Sequence, residues 1–329
     1  MRRALRAFGV RRVWTFLRPT LIVVCLLGVS SRAIAQTPSQ TVPQIHTSWA
    51  VDGSLTLGAL VLLGASNLIH VDTGARWSRE LVSFDEPVKR NFSADAAKTS
   101  DVLVTLTVAM PLFMQAAQGF NETTGKRSLV FGETLAIELA LNGLVKHWVG
   151  RPRPYVYNDD PRVQAWAAEQ TKDSHVSFFS GHASTSFAAA VAGGYLFSQT
   201  TTDTKARAAV WGTGLALASA TSNLRVRAGK HFYSDVIVGA VVGAAAGFVV
   251  PYLHYRNHSP NGLATAEWVA IGAGPVVGIV ASQLMRVHHD LTQSLDPPRG
   301  ATSAGASTVI LPWVGLQGAG AGLMLARSF

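Results

Sequence analysis

Cysteine is almost absent: Cys25 is the only one in 329 residues. A fold stapled by disulfides is therefore excluded. Charged side chains are also scarce, 14% against 48% apolar, and the mean hydropathy is +0.23. So apolar a chain is not intrinsically disordered. No fixed-period repeat runs through it, which excludes collagen-like and heptad architectures. Acidic residues are missing from the first 35 positions, where seven Arg occur. The whole chain carries +9, a balance that by itself suggests nucleic acid or anionic lipid as a partner. From residue 36 onward there are 21 basic and 19 acidic side chains, so the excess is local and gives no support for nucleic-acid binding.

The basic segment has an export pattern. Arg2, Arg3, Arg6, Arg11, Arg12 and Arg18 precede an apolar run from Leu21 to Val29, and Ala33-Ile34-Ala35 leads to Gln36. A basic region, a short apolar core and an A-x-A site form a secretory signal peptide, here 1–35. The apolar run is shorter than the ~20 residues needed to span a bilayer. Residues 36–54 are polar and form an extended lead-in.

Beyond the lead-in, the chain predicts an all-α fold. Six Ala- and Leu-rich segments without strict alternation read as helices, at 55–71, 99–119, 128–148, 182–198, 206–224 and 232–254. They define a helical domain over 55–255. In the last helix Gly239, Gly243 and Gly247 recur every fourth position, a stripe that lets another helix approach closely. A C-terminal extension, 256–329, begins at a polar break. Its segment 264–286 contains Gly272, Gly274 and Pro275 and reads as a broken helix or two strands. Its end reads as two short strands around a Gly-rich turn. His288-His289-Asp290 reads as a solvated turn rather than a metal tract.

Three clusters carry chemistry, each at a helix end. The first is Lys146-x6-Arg153-Pro154, the second Ser180-Gly181-His182, and the third Arg225-x5-His231-x3-Asp235. Lys146, Arg153 and Arg225 are three cations; Arg offers a planar fork of donors that suits phosphate oxygens, and Lys a point charge. Ser180 and Gly181 open a helix, where free backbone N–H groups and the positive dipole end favour an anion. His231 and Asp235 are four apart, so a shared helix face would let the carboxylate accept the Nδ1–H and free Nε2 to attack. His182 is left as a general acid. Any one of these clusters alone reads as an ordinary helix end; together, in one order, they point to phosphoryl chemistry.

The set resembles the type 2 phosphatidic acid phosphatase superfamily, which also includes bacterial acid phosphatases and vanadium haloperoxidases. Its signature is K-x6-R-P, then P-S-G-H, then S-R-x5-H-x3-D, and the resemblance covers about 55–254. It implies a six-helix bundle. It implies that Lys146, Arg153, Ser180, Gly181 and Arg225 hold the phosphoryl group. It also implies that His231 forms a phosphohistidine, Asp235 orients it, and His182 protonates the leaving alcohol and then activates water. No metal or other cofactor is implied, and vanadate would occupy the phosphate site as an inhibitor. Two positions depart from the signature: Phe179 stands in place of Pro and Leu224 in place of Ser. The first bears on the entry angle into the fourth helix, and the second removes a hydroxyl that would contact phosphate. Residues 155–178, with Asp159, Asp160, Trp166 and Lys172, read equally as a loop over the pocket and as an exposed connection.

The expected partner is a phosphorylated lipid or a small phosphomonoester. The rival readings are a nonspecific acid phosphatase on soluble monoesters, a vanadate-dependent haloperoxidase, and a non-catalytic envelope protein. Intact His and Asp positions argue against the last, and the lack of large insertions against the haloperoxidase. Three full spans after an exported N-terminus would put Lys146 and Arg153 in the cytoplasm, whereas membrane relatives face outward. Glu133 and Glu138 in the third helix are also costly in lipid. The expectation is a helical phosphatase of the periplasm or cell envelope, associated with the membrane.

Overall fold

A computed structural model of the protein describes residues 43–71, 81–170, 173–255 and 262–286, and the backbone of 307–314 and 321–328. The signal peptide, Lys172 and His288–Asp290 lie outside the described residues.

Eight α-helices make up the described core: α1 (Trp49–Ser66), α2 (Ala94–Ala116), α3 (Glu122–Val149), α4 (Pro161–Glu169), α5 (Gly181–Ser198), α6 (Thr204–Arg227), α7 (Tyr233–Leu253) and α8 (Thr265–Leu284). Two antiparallel strands, β1 (Ser307–Val314) and β2 (Ala321–Ser328), pair with Ser307 opposite Ser328 and Val314 opposite Ala321. The six expected helices are α1, α2, α3, α5, α6 and α7.

Local chemistry sets the helix boundaries. The hydroxyl of Ser48 accepts the N–H of Val51, so α1 starts at Trp49, six residues before the expected position. Ser93 caps α2 in the same way, so that helix starts at Ala94, five residues before the expected position. Asn121 caps α3 through the N–H of Thr124. At the other end, Gly150 adopts φ 60° and returns its N–H to the Lys146 carbonyl, which ends α3 and frees Arg151–Arg153. α6 runs to Arg227, so Arg225 stands in its last turn rather than in a linker.

α5 is the central helix, with Ala188, Ala189 and Ala192 fully buried, and α2, α3, α6 and α7 pack around it. The glycine stripe of α7 does what its spacing predicts. A Cβ on Gly243 would overlap the Ser184 carbonyl, and one on Gly247 the backbone of Ala188. Segment 265–284 differs from both sequence expectations. It is one helix, with Pro275 inside it, laid along α6. Gly274 and Gly278 abut the backbones of Gly212 and Ala216, so these glycines act in packing and break nothing.

Among the described residues, five helices, α1, α2, α3, α7 and α8, are long and apolar enough to cross a membrane. Their outer faces are exposed and apolar: Leu57 is 64% exposed, Val241 64% and Val276 60%. Glu133 and Glu138, the acids that argued against lipid, point inward and are 3% and 0% exposed. The Glu138 carboxylate accepts from the hydroxyls of Ser184 and Thr185.

Neighbouring helices reverse direction, so one end of the bundle gathers the C-terminal ends of α3 and α6 and the N-terminal ends of α5 and α7. The backbone N–H of Ser93, just ahead of α2, reaches the Ala228 carbonyl at the same end.

Candidate active site

Each predicted site residue lies at that end. Lys146 is in the last turn of α3, Arg153 in the extended stretch after Gly150, Ser180 to His182 at the start of α5, Arg225 at the end of α6, and His231 and Asp235 flank the start of α7. The structure brings Arg153 and His231 into contact, with guanidinium Nη1 donating to Nε2 at 3.3 Å. The same Nη1 donates to the Lys230 carbonyl at 3.0 Å. Gly181 has a steric reason to be glycine. A Cβ there would lie 2.8 Å from Asn142 Oδ1 and 3.4 Å from the Lys146 ammonium. The Ser180 hydroxyl caps α5 by accepting the Ala183 N–H at 3.4 Å, while its own N–H reaches the Asp235 carbonyl.

His231 is 1% exposed and its tautomer is set. Nδ1–H donates to the Ser177 carbonyl at 2.8 Å, so Nε2 carries the lone pair that faces Arg153. Burial, together with the charges of Arg153 and Arg225, holds the imidazole well below its ordinary pKa and therefore neutral.

This corrects the expected role of Asp235. Its Oδ2 is 3.8 Å from His231 Nδ1, an ion-pair distance and too long for a hydrogen bond. The carboxylate instead accepts from Arg151 (2.5 Å), the Ser177 hydroxyl (2.6 Å) and the Phe232 N–H (2.9 Å). His231 lies two residues before α7 begins, so the i,i+4 geometry of a helix face does not apply to it. Asp235 fixes the two loops around the histidine, and the Ser177 carbonyl orients the ring.

His182 Nε2 pairs with Asp101 Oδ1 at 2.7 Å, and Asp101 is also 3.5 Å from Arg225 Nη1. Arg225 is 6% exposed, and its Nε is buried with no hydrogen-bond partner. An uncompensated buried donor is costly unless an anion meets it.

Further residues complete the site. Lys230 packs over Tyr155 and Trp166, each ring centroid 5.1 Å from its ammonium. Burial and Arg153 push its pKa down to about 8, with Asp173 acting the other way. Asp173 closes the cationic cluster: Oδ1 accepts from Arg153 at 2.8 Å, Oδ2 is 3.6 Å from the Lys230 ammonium, and Tyr155 donates to it at 3.1 Å. Burial alone would raise its pKa; Arg153 and Lys230 outweigh that and lower it. Arg151 bridges Asp85 (2.9 Å) and Asp235, with its guanidinium 4.3 Å from the centre of the Phe232 ring. Sequence reasoning missed Asp101, Arg151, Lys230, Asp173 and Ser177. Two had a signal: Arg151 lies inside the first cluster and Lys230 directly precedes His231.

The two departures from the signature sit differently. Leu224 is fully buried among Ala96, Leu103, Ala220 and Ala228, so this position faces α2 and the core. Phe179 is 2% exposed and its carbonyl accepts from Asn142. The connection between the first two clusters holds α4, where Trp166 packs edge-on against Phe92 and Tyr155. It thereby forms one wall of the site.

Fold and site together define an α-helical bundle with a cluster of cationic side chains beside a buried neutral histidine. Residues 127–259, which contain all three clusters, match the family model of the PAP2 superfamily. Its members are generally phosphatases. No curated protein and no solved structure matches the chain.

Proposed function

We propose that the protein is a phosphomonoesterase that works through a phosphohistidine, without a metal at the phosphoryl group. The observation that carries this reading is His231: its Nδ1–H is committed to Ser177, and its Nε2 lone pair lies beside Arg153. Lys146, Arg153, Arg225 and Lys230 supply the positive charge that a phosphoryl transition state requires. His231 Nε2 bonds to phosphorus as the ester P–O bond breaks, and His182 gives its proton to the departing oxygen. Water then attacks phosphorus, passes a proton to His182, and the N–P bond breaks to release phosphate. With Nε2 of His182 held by Asp101, Nδ1 is the nitrogen that serves the leaving group. Asp235, 3.8 Å from Nδ1 of His231, stabilises the cationic phosphohistidine through space.

The preferred substrate is a lipid phosphate or an isoprenoid-type pyrophosphate. The five apolar helices support this, since a bundle seated in the envelope membrane holds its cationic end at the headgroup level. Phosphate release from an aryl phosphate and from lipid and soluble phosphomonoesters, with chelator present, tests the reading. Lipid substrates should give the highest kcat/KM, and His231→Ala should reduce turnover by about 10³-fold or more. Full turnover in His231→Ala would remove the nucleophile. A preference for soluble esters would remove the lipid assignment and leave the phosphatase.

A further inference from the structure

The end of the bundle away from His231 holds a second group of chemistry-bearing side chains. Asp52 lies in the first turn of α1, Glu133 within α3, and His254 directly after α7. α7 has 21 residues, so His254 lies about 30 Å from the phosphoryl site at its other end.

We propose that Asp52, Glu133 and His254 bind a divalent transition-metal ion, with Zn²⁺ as the best fit. Their ligand atoms lie within 4.8 Å of one another. Each atom is left free for the role by what its neighbours do. His254 Nδ1–H donates to the Val250 carbonyl at 2.8 Å, so Nε2 points its lone pair at the two acids. Such a backbone partner on the far nitrogen is the usual support of a metal-bound histidine. Asp52 Oδ2 accepts the Ser48 N–H at 2.7 Å, leaving Oδ1 for the cluster. Glu133 is 3% exposed and its Oε2 is buried with no hydrogen-bond partner. An orphaned carboxylate oxygen in the core of a bundle needs a cation.

The spacing favours a metal over a shared proton. Nε2 is 3.4 Å from Glu133 Oε2 and 3.6 Å from Asp52 Oδ1. A charge-assisted bond from an imidazolium would bring these atoms to about 2.7–2.9 Å. Ligands at ~2.1 Å in a tetrahedron around zinc sit ~3.4 Å apart, close to what is found. Two carboxylates neutralise the ion, and one imidazole nitrogen favours zinc over the hard cations. The ion would tie together three helices and leave a fourth position for water. It takes no part in the phosphoryl chemistry.

The test uses the full-length protein in detergent, stripped with chelator and titrated with Zn²⁺ alone. One equivalent should bind, raise Tm, and show a nitrogen–oxygen coordination shell by X-ray absorption. Glu133→Gln and His254→Gln should each weaken binding at least tenfold, whereas His182→Asn, at the phosphoryl site, should keep it. Asp52→Asn should lose the Tm gain and keep the initial rate of phosphate release. Co²⁺ placed in the wild type provides a readout that no variant can spoil by misfolding: visible bands of a four-coordinate ion are expected. Failure of folded wild type to bind either ion would overturn the proposal. So would unweakened binding in folded Glu133→Gln, or loss of binding in His182→Asn.

Discussion

Asp173→Asn is the sharpest probe of the cationic cradle. In the structure the Asp173 carboxylate occupies two of the four cations, at 2.8 Å from Arg153 and 3.6 Å from Lys230. A phosphoryl group that binds Arg153 must come within about 5 Å of that carboxylate. The Asp173 side chain is 46% exposed, so water screens the repulsion strongly. With an effective dielectric of about 50 and a phosphate charge near −1.5, Coulomb's law gives roughly 2 kcal/mol. Screening by salt lowers this to about 1–2 kcal/mol, or roughly 5- to 30-fold in affinity. Asparagine keeps the Oδ1 acceptor for Arg153, removes the charge, and replaces Oδ2 with an amide that can donate to the Tyr155 oxygen. The variant should therefore bind inorganic phosphate and vanadate more tightly, by isothermal titration and by competitive inhibition of aryl phosphate turnover. The gain should shrink as ionic strength rises. Equal or weaker anion binding in a folded Asp173→Asn would refute the idea that this carboxylate competes with substrate for the cradle.

The same geometry sets three further outcomes. Lys230 is protonated only below its lowered pKa of about 8, so kcat/KM should fall as pH rises through that value. Lys230→Arg should move this alkaline limb upward, and an unmoved limb would assign it to another group. His182→Ala should slow esters with poor leaving groups far more than those with good ones, as a linear free-energy plot of rate against leaving-group pKa would show; parallel losses would remove its acid role. Glu267→Gln should leave Arg207 buried without the carboxylate that its Nε meets at 2.9 Å. The cost is expected at about 3–5 kcal/mol; a thermal melt within a degree or two of wild type would contradict it.

The motifs made the site legible because its chemistry is concentrated at helix ends, where capping and charge leave marks in sequence. Gly150 ends α3 and Ser180 opens α5, and both can be read as signals. The partners that come from far along the chain leave no such mark. Asp101 reaches His182 across 81 residues and Asp85 reaches Ser234 across 149, and nothing local announces either pairing. The Ser177 carbonyl is invisible for another reason: a backbone acceptor has no residue type. α8 is hard to read as one helix because Gly272, Gly274 and Pro275 look like punctuation. Against the backbone of α6, small residues four apart allow close packing, and tertiary contact outweighs the local cost of Pro and Gly.

The placement of acids settles how the bundle can be both charged inside and apolar outside. Glu138 is met by two hydroxyls, Glu267 by Arg207, and Asp235 by Arg151, Ser177 and a backbone N–H. Each therefore sits inside the helices with its oxygens hydrogen-bonded, and the outer faces of α1, α7 and α8 are left to apolar side chains such as Leu, Val, Ile and Trp. Glu133 alone among these has an oxygen without a hydrogen-bond partner. The acids that seemed to argue against lipid thus argue only against facing it. α1 begins at the His254 end and α3 finishes at the His231 end, so a bundle in the membrane would hold the Asp52 cluster and the phosphoryl site toward opposite faces. The charge excess of the first 35 residues plays no part in the proposed chemistry, which calls on the four cations around His231.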